Sequence, residues 1–276
     1  MGGFYWIASY PKSGNTWIRL LLESVIAGGA APEFGKRTRF APIVAQRADF
    51  ELFLDVEASD LTVSEQAELR HDLACVMAAE VAEPQFRKVH DHWGFTPSGR
   101  PLFPEAVTLG SVYLVRDPRD VAISWAHHCG DTIDEAIAFM AREDAALTRP
   151  SGWQDQLGQR LTSWSAHVES WMTAVPAPML VSYERLSEDT PAVLSEVAAH
   201  VGLAASDAVI GDAVAANQFD RLKAMEGVAG FDLGQASGRA FFRRGLAGGW
   251  RDTLTPAQAD RIVRDHGAMM ERLGYL

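Results

Sequence analysis

Cysteine is scarce in this chain: Cys75 and Cys129 are the only two in 276 residues, with no CxxC pair and no framework spacing. A disulfide scaffold and a cysteine zinc site are excluded as organising features, and a reducing, cytoplasmic setting fits. Also missing is any run of about 18 apolar residues, the length a membrane-spanning helix needs. The first residues hold no basic stretch followed by an apolar core and a small-residue cleavage site, so no secretory leader is expected. Positive charge is in deficit, with 25 Lys+Arg against 36 Asp+Glu and a formal net charge of −11. That balance disfavours nucleic acid or an anionic membrane surface as partner unless the cations are locally concentrated. Repeats, low-complexity tracts and domain-separating linkers are absent as well. What remains is a composition 47% hydrophobic and 22% charged, enough to bury a sizeable core. A single domain over 1–276 is the expectation.

Residues 4–10 (FYWIASY) read as a short strand broken by Pro11 and a Ser-Gly-Asn-Thr turn. WIRLLLESVIAG then shows helical spacing until Gly28 and Gly29 stop it. Residues 30–60 read as a long irregular excursion, and 64–82 as a helix capped by Ser64. Strands are expected at 86–90 (FRKVH) and at 111–115 (SVYLV), the latter a continuous apolar run suited to the centre of a parallel sheet. Pro118 stands where a helix can begin. Residues 156–174 read as one amphipathic helix, with Leu157, Leu161, Trp164, Val168 and Trp171 along one face. A strand at 179–183 and helices at 191–201 and 256–273 complete the pattern. Between those helices, residues 226–244 carry Gly227, Gly230, Gly234 and Gly238 without periodicity and read as a mobile loop. Alternating strands and helices predict a doubly wound, three-layer α/β/α fold with a central parallel sheet.

Three segments carry chemistry. In the first strand-loop-helix, PKSGNT aims backbone N–H groups and the positive end of a helix at one spot, a ready phosphate site. Lys12 adds a point charge there, and Ser13 and Thr16 add hydroxyls. The bland reading is a strand-to-helix turn capped by Asn15 or Thr16. A Walker A loop is excluded, because Lys12 and Ser13 precede Gly14 instead of following the last glycine. In VRDPRDVAISW, Arg116 ends a buried strand, where ligands of open α/β sheets bind, and Ser124 lies on the next helix. Arg116 has the planar fork that grips phosphate. A surface lattice of Arg116, Asp117, Arg119 and Asp120 is the competing reading. The third segment, FFRRGLAGGWRDTLT at 241–255, places Arg243, Arg244 and Arg251 around Gly245, Gly248 and Gly249. A solvated basic turn competes with anion binding at that place.

In order and character these segments resemble the cytosolic-type sulfotransferase family, which uses 3′-phosphoadenosine 5′-phosphosulfate (PAPS) and releases its desulfated product, PAP. YPKSGNTW resembles the family's 5′-phosphosulfate loop, with Asn15 where threonine is common. RDPRDVAIS resembles its 3′-phosphate motif. RRGLAGGW resembles its C-terminal Arg-Lys-Gly-x-x-Gly-x-Trp segment, with Arg244 for lysine and Gly249 for a frequent aspartate. The resemblance implies a P-loop-like strand-loop-helix in which Lys12, Ser13, Gly14, Asn15 and Thr16 bind the 5′-phosphosulfate and Trp17 packs on the adenine. It also implies that Arg116 and Ser124, with Arg243, Arg244 and Gly245, hold the 3′-phosphate. Tyr183 in VSYERL matches the family's adenine-contacting tyrosine, and Phe219 in NQFDRL a second adenine wall, with Asn217 and Gln218 where Thr-Ser is frequent.

KVH at 88–90 resembles the family's Lys-Thr-His step, which makes His90 the candidate base and Lys88 an assistant at the sulfuryl oxygens. His92, two residues on, is the rival. Histidine suits the task because its ordinary pKa lies near operating pH. Lys12 would stabilise charge on the bridging and leaving oxygens. The resemblance implies in-line sulfuryl transfer to a hydroxyl, with an amine as the second choice, and no metal. The acceptor class preferred is a phenolic or hydroxylated natural product. Phe34, Phe40, Trp93, Phe95, Phe231 and Phe241 are candidates for its apolar pocket. A lipid alcohol is a further option, as is a glycan, for which Lys36, Arg37 and Arg39 would matter. Two rival functions are a P-loop nucleotide kinase and a non-catalytic nucleotide-binding protein. The family's dimer motif is not recognisable after Trp250, which leaves the oligomeric state open.

Overall fold

A computed structural model describes residues 2–32, 40–147, 155–229 and 245–276. In chain order the elements are β1 (Phe4–Ser9), α1 (Asn15–Ile26), α2 (Arg47–Leu54), α3 (Val63–Ala79), β2 (Gln85–Val89), β3 (Thr108–Val115), α4 (Pro118–Cys129), α5 (Ile133–Met140), β4 (Ala146–Leu147), β5 (Gln159–Arg160), α6 (Trp164–Met172), β6 (Met179–Ser182), α7 (Tyr183–Glu188), α8 (Thr190–His200), α9 (Asp207–Ala216), α10 (Phe219–Ala229) and α11 (Pro256–Arg272). The central sheet is parallel, flanked by helices, with strand order β2-β1-β3-β6. A two-stranded antiparallel ribbon pairs β4 with β5.

The chain divides into two compact units, each assembled from three separate segments. The first comprises Met1–Tyr10, Ala41–Tyr113 and Arg142–Pro178. In it β1 and β2 run parallel, from Phe4 opposite Gln85 to Ala8 opposite Val89. Five of the six β1 residues are buried, as expected for a strand covered on both faces. Its core is aromatic: the Trp6 ring meets Phe103 edge-on at 5.3 Å, Trp93 stacks on Phe103 at 5.1 Å, and Tyr113 stacks on Trp171 at 5.7 Å. The Trp6 indole N–H donates to Thr108 Oγ1 at 2.9 Å, which satisfies the polar handle that a buried tryptophan carries.

The second unit comprises Pro11–Phe40, Leu114–Ala141 and Met179–Leu276. It is mainly helical, with Ile18, Leu20, Leu21 and Leu22 of α1 and Val193, Leu194 and Val197 of α8 buried in its core. Pro118 opens α4 as expected, behind an Asp117 cap whose side chain accepts the Arg119 N–H.

Several element expectations are corrected. The helix expected at 64–82 spans Val63–Ala79, and its cap is Thr62, whose hydroxyl and Glu65 form a reciprocal capping box. The single helix expected over 156–174 shrinks to α6. Its first part instead holds the two-residue strand β5 in otherwise irregular backbone, Thr162 lies at φ +64°, and the Ser163 side chain caps the helix by accepting the Ala166 N–H. Leu157 and Leu161 are buried all the same, so their spacing reflected burial and not helix. The excursion at 30–60 contains α2, a short helix without a side-chain cap and with Phe50 as its one buried residue. Residues 226–229 of the expected loop continue α10, and 230–244 lie outside the described residues.

Candidate functional site

Within the second unit, the turn from Pro11 into α1 has an unusual backbone. Lys12 lies at φ +72° and Gly14 at φ +99°, both in the left-handed region, which side-chain-bearing residues seldom enter. Only glycine fits the second position, because a Cβ there would come within 2.7 Å of the Tyr183 ring. Gly14 is also the N-cap of α1, and no side chain caps that helix. Neither Asn15 nor Thr16 does so, contrary to the bland reading of the turn. The Trp17 N–H turns back onto the Gly14 carbonyl at 3.0 Å, and the positive end of the helix dipole carries no side-chain cap. Ser13 is 0% exposed and its hydroxyl has no hydrogen-bond partner. Burial pushes the Lys12 ammonium down to about 8, Cys129 opposes the fall and the Arg116 guanidinium adds to it. Asn15 and Thr16 are buried beside them.

Arg116 follows β3 directly, as the strand-end argument requires. Its guanidinium lies 4.2 Å from the centre of the Tyr183 ring, and donates to the Lys12 carbonyl at 3.3 Å and the Leu246 carbonyl at 2.9 Å. Its Nε is buried without a partner. The ion pairs of the lattice reading of 116–120 are present, Arg116 with Asp120 at 3.9 Å and Arg119 with Asp117, but they are largely buried and not on the surface. Arg119 forms a buried pair with Asp117 at 2.7 Å, donates to the Tyr275 carbonyl and covers the Trp250 ring at 3.9 Å. Asp120 accepts the Gly248 N–H at 2.7 Å and the Trp250 N–H at 2.9 Å. Sequence reasoning missed this tethering role of Asp120. Ser124 lies half-buried on α4.

Three rings gather in the same unit. Trp17 and Tyr183 are 5.9 Å apart, and Trp17 and Phe219 pack on Leu20 and Leu222. The Trp17 indole donates to the Asn217 carbonyl at 3.1 Å, while the Asn217 amide donates to Ser24 Oγ and the Ala213 carbonyl. The Tyr183 hydroxyl donates to the Gly245 carbonyl at 2.9 Å. Gly245, at φ +63°, admits no side chain, because a Cβ would collide with the Phe219 ring. The structure thus brings Lys12, Ser13, Gly14, Trp17, Arg116, Tyr183, Phe219 and Gly245 into one contact network. Arg243 and Arg244 lie outside the described residues.

In the first unit His90 directly follows β2 and is 8% exposed. Its Nδ1–H donates to the Ser9 carbonyl at 2.9 Å, which fixes the tautomer and leaves Nε2 as the basic nitrogen. The His90 carbonyl accepts the His167 Nε2–H at 3.0 Å, and the Tyr113 hydroxyl donates to His167 Nδ1 at 2.8 Å. Complete burial drives His167 down to about 3, so it stays neutral. Asp91 receives a bidentate pair from Arg70 with both distances 2.7 Å, and its carbonyl accepts the Trp171 indole N–H. His92 donates from Nδ1 to the Arg160 carbonyl at 3.3 Å, and burial lowers its pKa. Lys88 is half-buried on β2. Of the candidate acceptor-pocket residues, Trp93 belongs to the aromatic core, Phe95 is 68% exposed, and Phe34, Phe231 and Phe241 lie outside the described residues, as do Lys36, Arg37 and Arg39.

A sequence-family model described as "Sulfotransferase domain" matches residues 5–274. The chain belongs to the sulfotransferase family. This sulfotransferase is 23% identical over 281 residues to Sulfotransferase 1A1 of Canis lupus familiaris, covering 97% of this chain and 83% of that protein. It is 26% identical over 278 residues to Cytosolic sulfotransferase 13 of Arabidopsis thaliana, covering 93% and 73%. Among solved structures it resembles retinol dehydratase in complex with androsterone and inactive cofactor PAP, with TM-score 0.64, 20% identity, and coverage of 97% of this chain and 80% of that one. A mouse sulfotransferase complexed with PAP gives TM-score 0.61 and 19% identity, with coverage of 97% and 84%. These likenesses confirm the α/β fold with its P-loop-like turn.

The sulfotransferase's own residues fit PAPS. The turn offers donors and cations without an acidic residue in the first turn of α1, an orphaned Ser13 hydroxyl, and an ammonium whose charge burial disfavours until an anion arrives. The ring cluster suits a purine. Among the described residues, no helix is long and apolar enough to cross a membrane.

Proposed function

We propose that this sulfotransferase moves the sulfuryl group of PAPS to the hydroxyl of a small, phenolic or hydroxylated natural product, with His90 as base. The observation that carries the reading is the Lys12–Ser13–Gly14 turn, whose buried Ser13 hydroxyl lacks a partner beside a desolvated ammonium. Lys12, Ser13, Asn15, Thr16 and the amide of Gly14 bind the 5′-phosphosulfate. Trp17, Tyr183 and Phe219 take the adenine. Arg116 and Ser124, with Arg243, Arg244 and Gly245, take the 3′-phosphate, and the unpartnered buried Arg116 Nε supports that assignment.

His90 Nε2 accepts the acceptor's hydroxyl proton as the oxygen forms its bond to sulfur. The bond from sulfur to the bridging oxygen breaks, and its electron pair leaves on the 5′-phosphate of PAP. Lys12 neutralises the charge appearing there, and Lys88 assists at the sulfuryl oxygens. The hydrogen bond from His90 to the Ser9 carbonyl supports the base assignment, because it selects the tautomer that can accept at Nε2. The retinol and androsterone complexes of retinol dehydratase favour an apolar alcohol over a glycan as the acceptor class. The two free cysteines, Cys75 half-buried and Cys129 exposed, suit a cytoplasmic setting.

The test is metal-free incubation of the protein with PAPS and a panel of phenols, hydroxylated lipids and sugars, with sulfated products read by mass spectrometry. ATP in place of PAPS distinguishes a kinase. His90→Ala is expected to reduce turnover at least ~100-fold with PAP affinity unchanged. Turnover retained in that variant removes His90 from the mechanism.

A further inference from the structure

Arg19 has no part in the roles assigned above, yet it is a buried cation one helical turn after Asn15. It is 5% exposed within α1. Its Nε–H donates to Asn15 Oδ1 at 3.1 Å, and a terminal N–H reaches the Phe40 carbonyl at 3.4 Å. Burial lowers the guanidinium to about 10, against the opposing pull of Glu23. A charged group kept inside a protein at such cost is either a structural strut or a part of the chemistry next to it.

The choice between these follows from what a carboxamide can do. Asparagine presents a carbonyl oxygen on one side and an NH2 group on the other, and only the NH2 side attracts an anion. Guanidinium has donors alone, so the atom of Asn15 that faces Arg19 Nε has to be the oxygen. The NH2 group is thereby turned away from Arg19. A threonine, common at this position in the family the sequence resembles, needs no such partner, because a hydroxyl rotates to donate by itself. Asparagine carries an acceptor that has to be held away from the phosphosulfate.

We propose that Arg19 is a positioning residue: it fixes Asn15 as an N–H donor toward the 5′-phosphosulfate and places a buried positive charge behind it. The inference rests on PAPS being the donor, and the experiment separates failure of the two. PAP and adenosine 3′-monophosphate, which lacks the 5′-phosphate, are titrated calorimetrically into the full-length wild type, Arg19→Gln, Asn15→Thr and the double variant. Arg19→Gln is expected to lose at least tenfold in PAP affinity and less than twofold for adenosine 3′-monophosphate. In the Asn15→Thr background the same change is expected to cost less than threefold. Equal losses for both nucleotides, or an undiminished loss in the Asn15→Thr background, would show a structural strut and overturn the proposal. Should Arg19→Gln not fold, Arg19→Lys carries the comparison, with a smaller loss still confined to PAP. A wild type that binds neither nucleotide overturns the PAPS reading itself.

Discussion

Lys12 is the residue at which charge, strain and chemistry coincide. Its ammonium, held near 8 by burial, is mostly neutral above that pH in the ligand-free protein. On the proposed assignment of Lys12, a bound 5′-phosphate restores the charge and lifts the value back toward the ordinary 10.5. The bound state therefore holds more protons than the free state between about pH 8 and 10, so PAP affinity falls as pH rises through that window. At pH 9 about nine in ten Lys12 side chains start neutral, and binding is expected to take up close to one proton. Calorimetry in buffers of different ionisation enthalpy measures the uptake, and Lys12→Met should abolish it. Much of this site is legible in the sequence, because Lys12 to Trp17, Arg116 and Lys88 to His90 sit in short segments whose residue types advertise phosphate and proton chemistry. Their supports are not. Asn217 meets Trp17 from 200 residues away, and the Gly248 amide meets Asp120 from 128 away, so no local pattern encodes either. Arg19 was within reach, since it stands four residues from Asn15 on a helix.

At the scale of elements, α6 acts as a bolt in the first unit. It delivers His167 between the Tyr113 hydroxyl and the His90 carbonyl, while the Tyr10 backbone also bonds the same hydroxyl. The native state resists protonating His167 until about pH 3, whereas an unfolded histidine takes its proton near 6.5. Its folded value is depressed, so its contribution to stability is complete above about 6.5 and is lost as pH falls toward 3. His167→Phe removes the acceptor of the Tyr113 hydroxyl and a donor to the His90 carbonyl, at an expected cost of about 1–3 kcal/mol at pH 7. The same variant should show a flatter decline of stability between pH 7 and 4.5, which urea denaturation at each pH reads out. Strand positions were legible because continuous apolar runs such as FYWIAS and SVYLV have few other uses. Helix limits were less so. Thr62 and Ser64 are both good caps, and only the position of Glu65 relative to Thr62 decides between them. The face expected over 156–174 was misread because Leu157 and Leu161 are buried from non-helical backbone on either side of β5, which hydrophobic spacing alone cannot distinguish from helix.

For the molecule as a whole, a net charge of −11 coexists with a cationic turn, because Lys12, Arg19 and Arg116 are gathered in one unit. PAP at about 100 times its dissociation constant is expected to raise stability by ~2.7 kcal/mol. Hydrogen exchange should show the added protection in α1, the start of α4 and residues 245–250, the segments that carry the residues proposed to bind the nucleotide. Uniform protection throughout the chain would contradict that placement. The division into two units has another side, because the polypeptide passes from one to the other five times, first between Tyr10 and Pro11. Neither unit is a contiguous stretch of gene. No truncation liberates one of them, and recombination cannot exchange one for a homologue's in a single crossover. Exchange of a whole unit by recombination would need several crossovers within one gene.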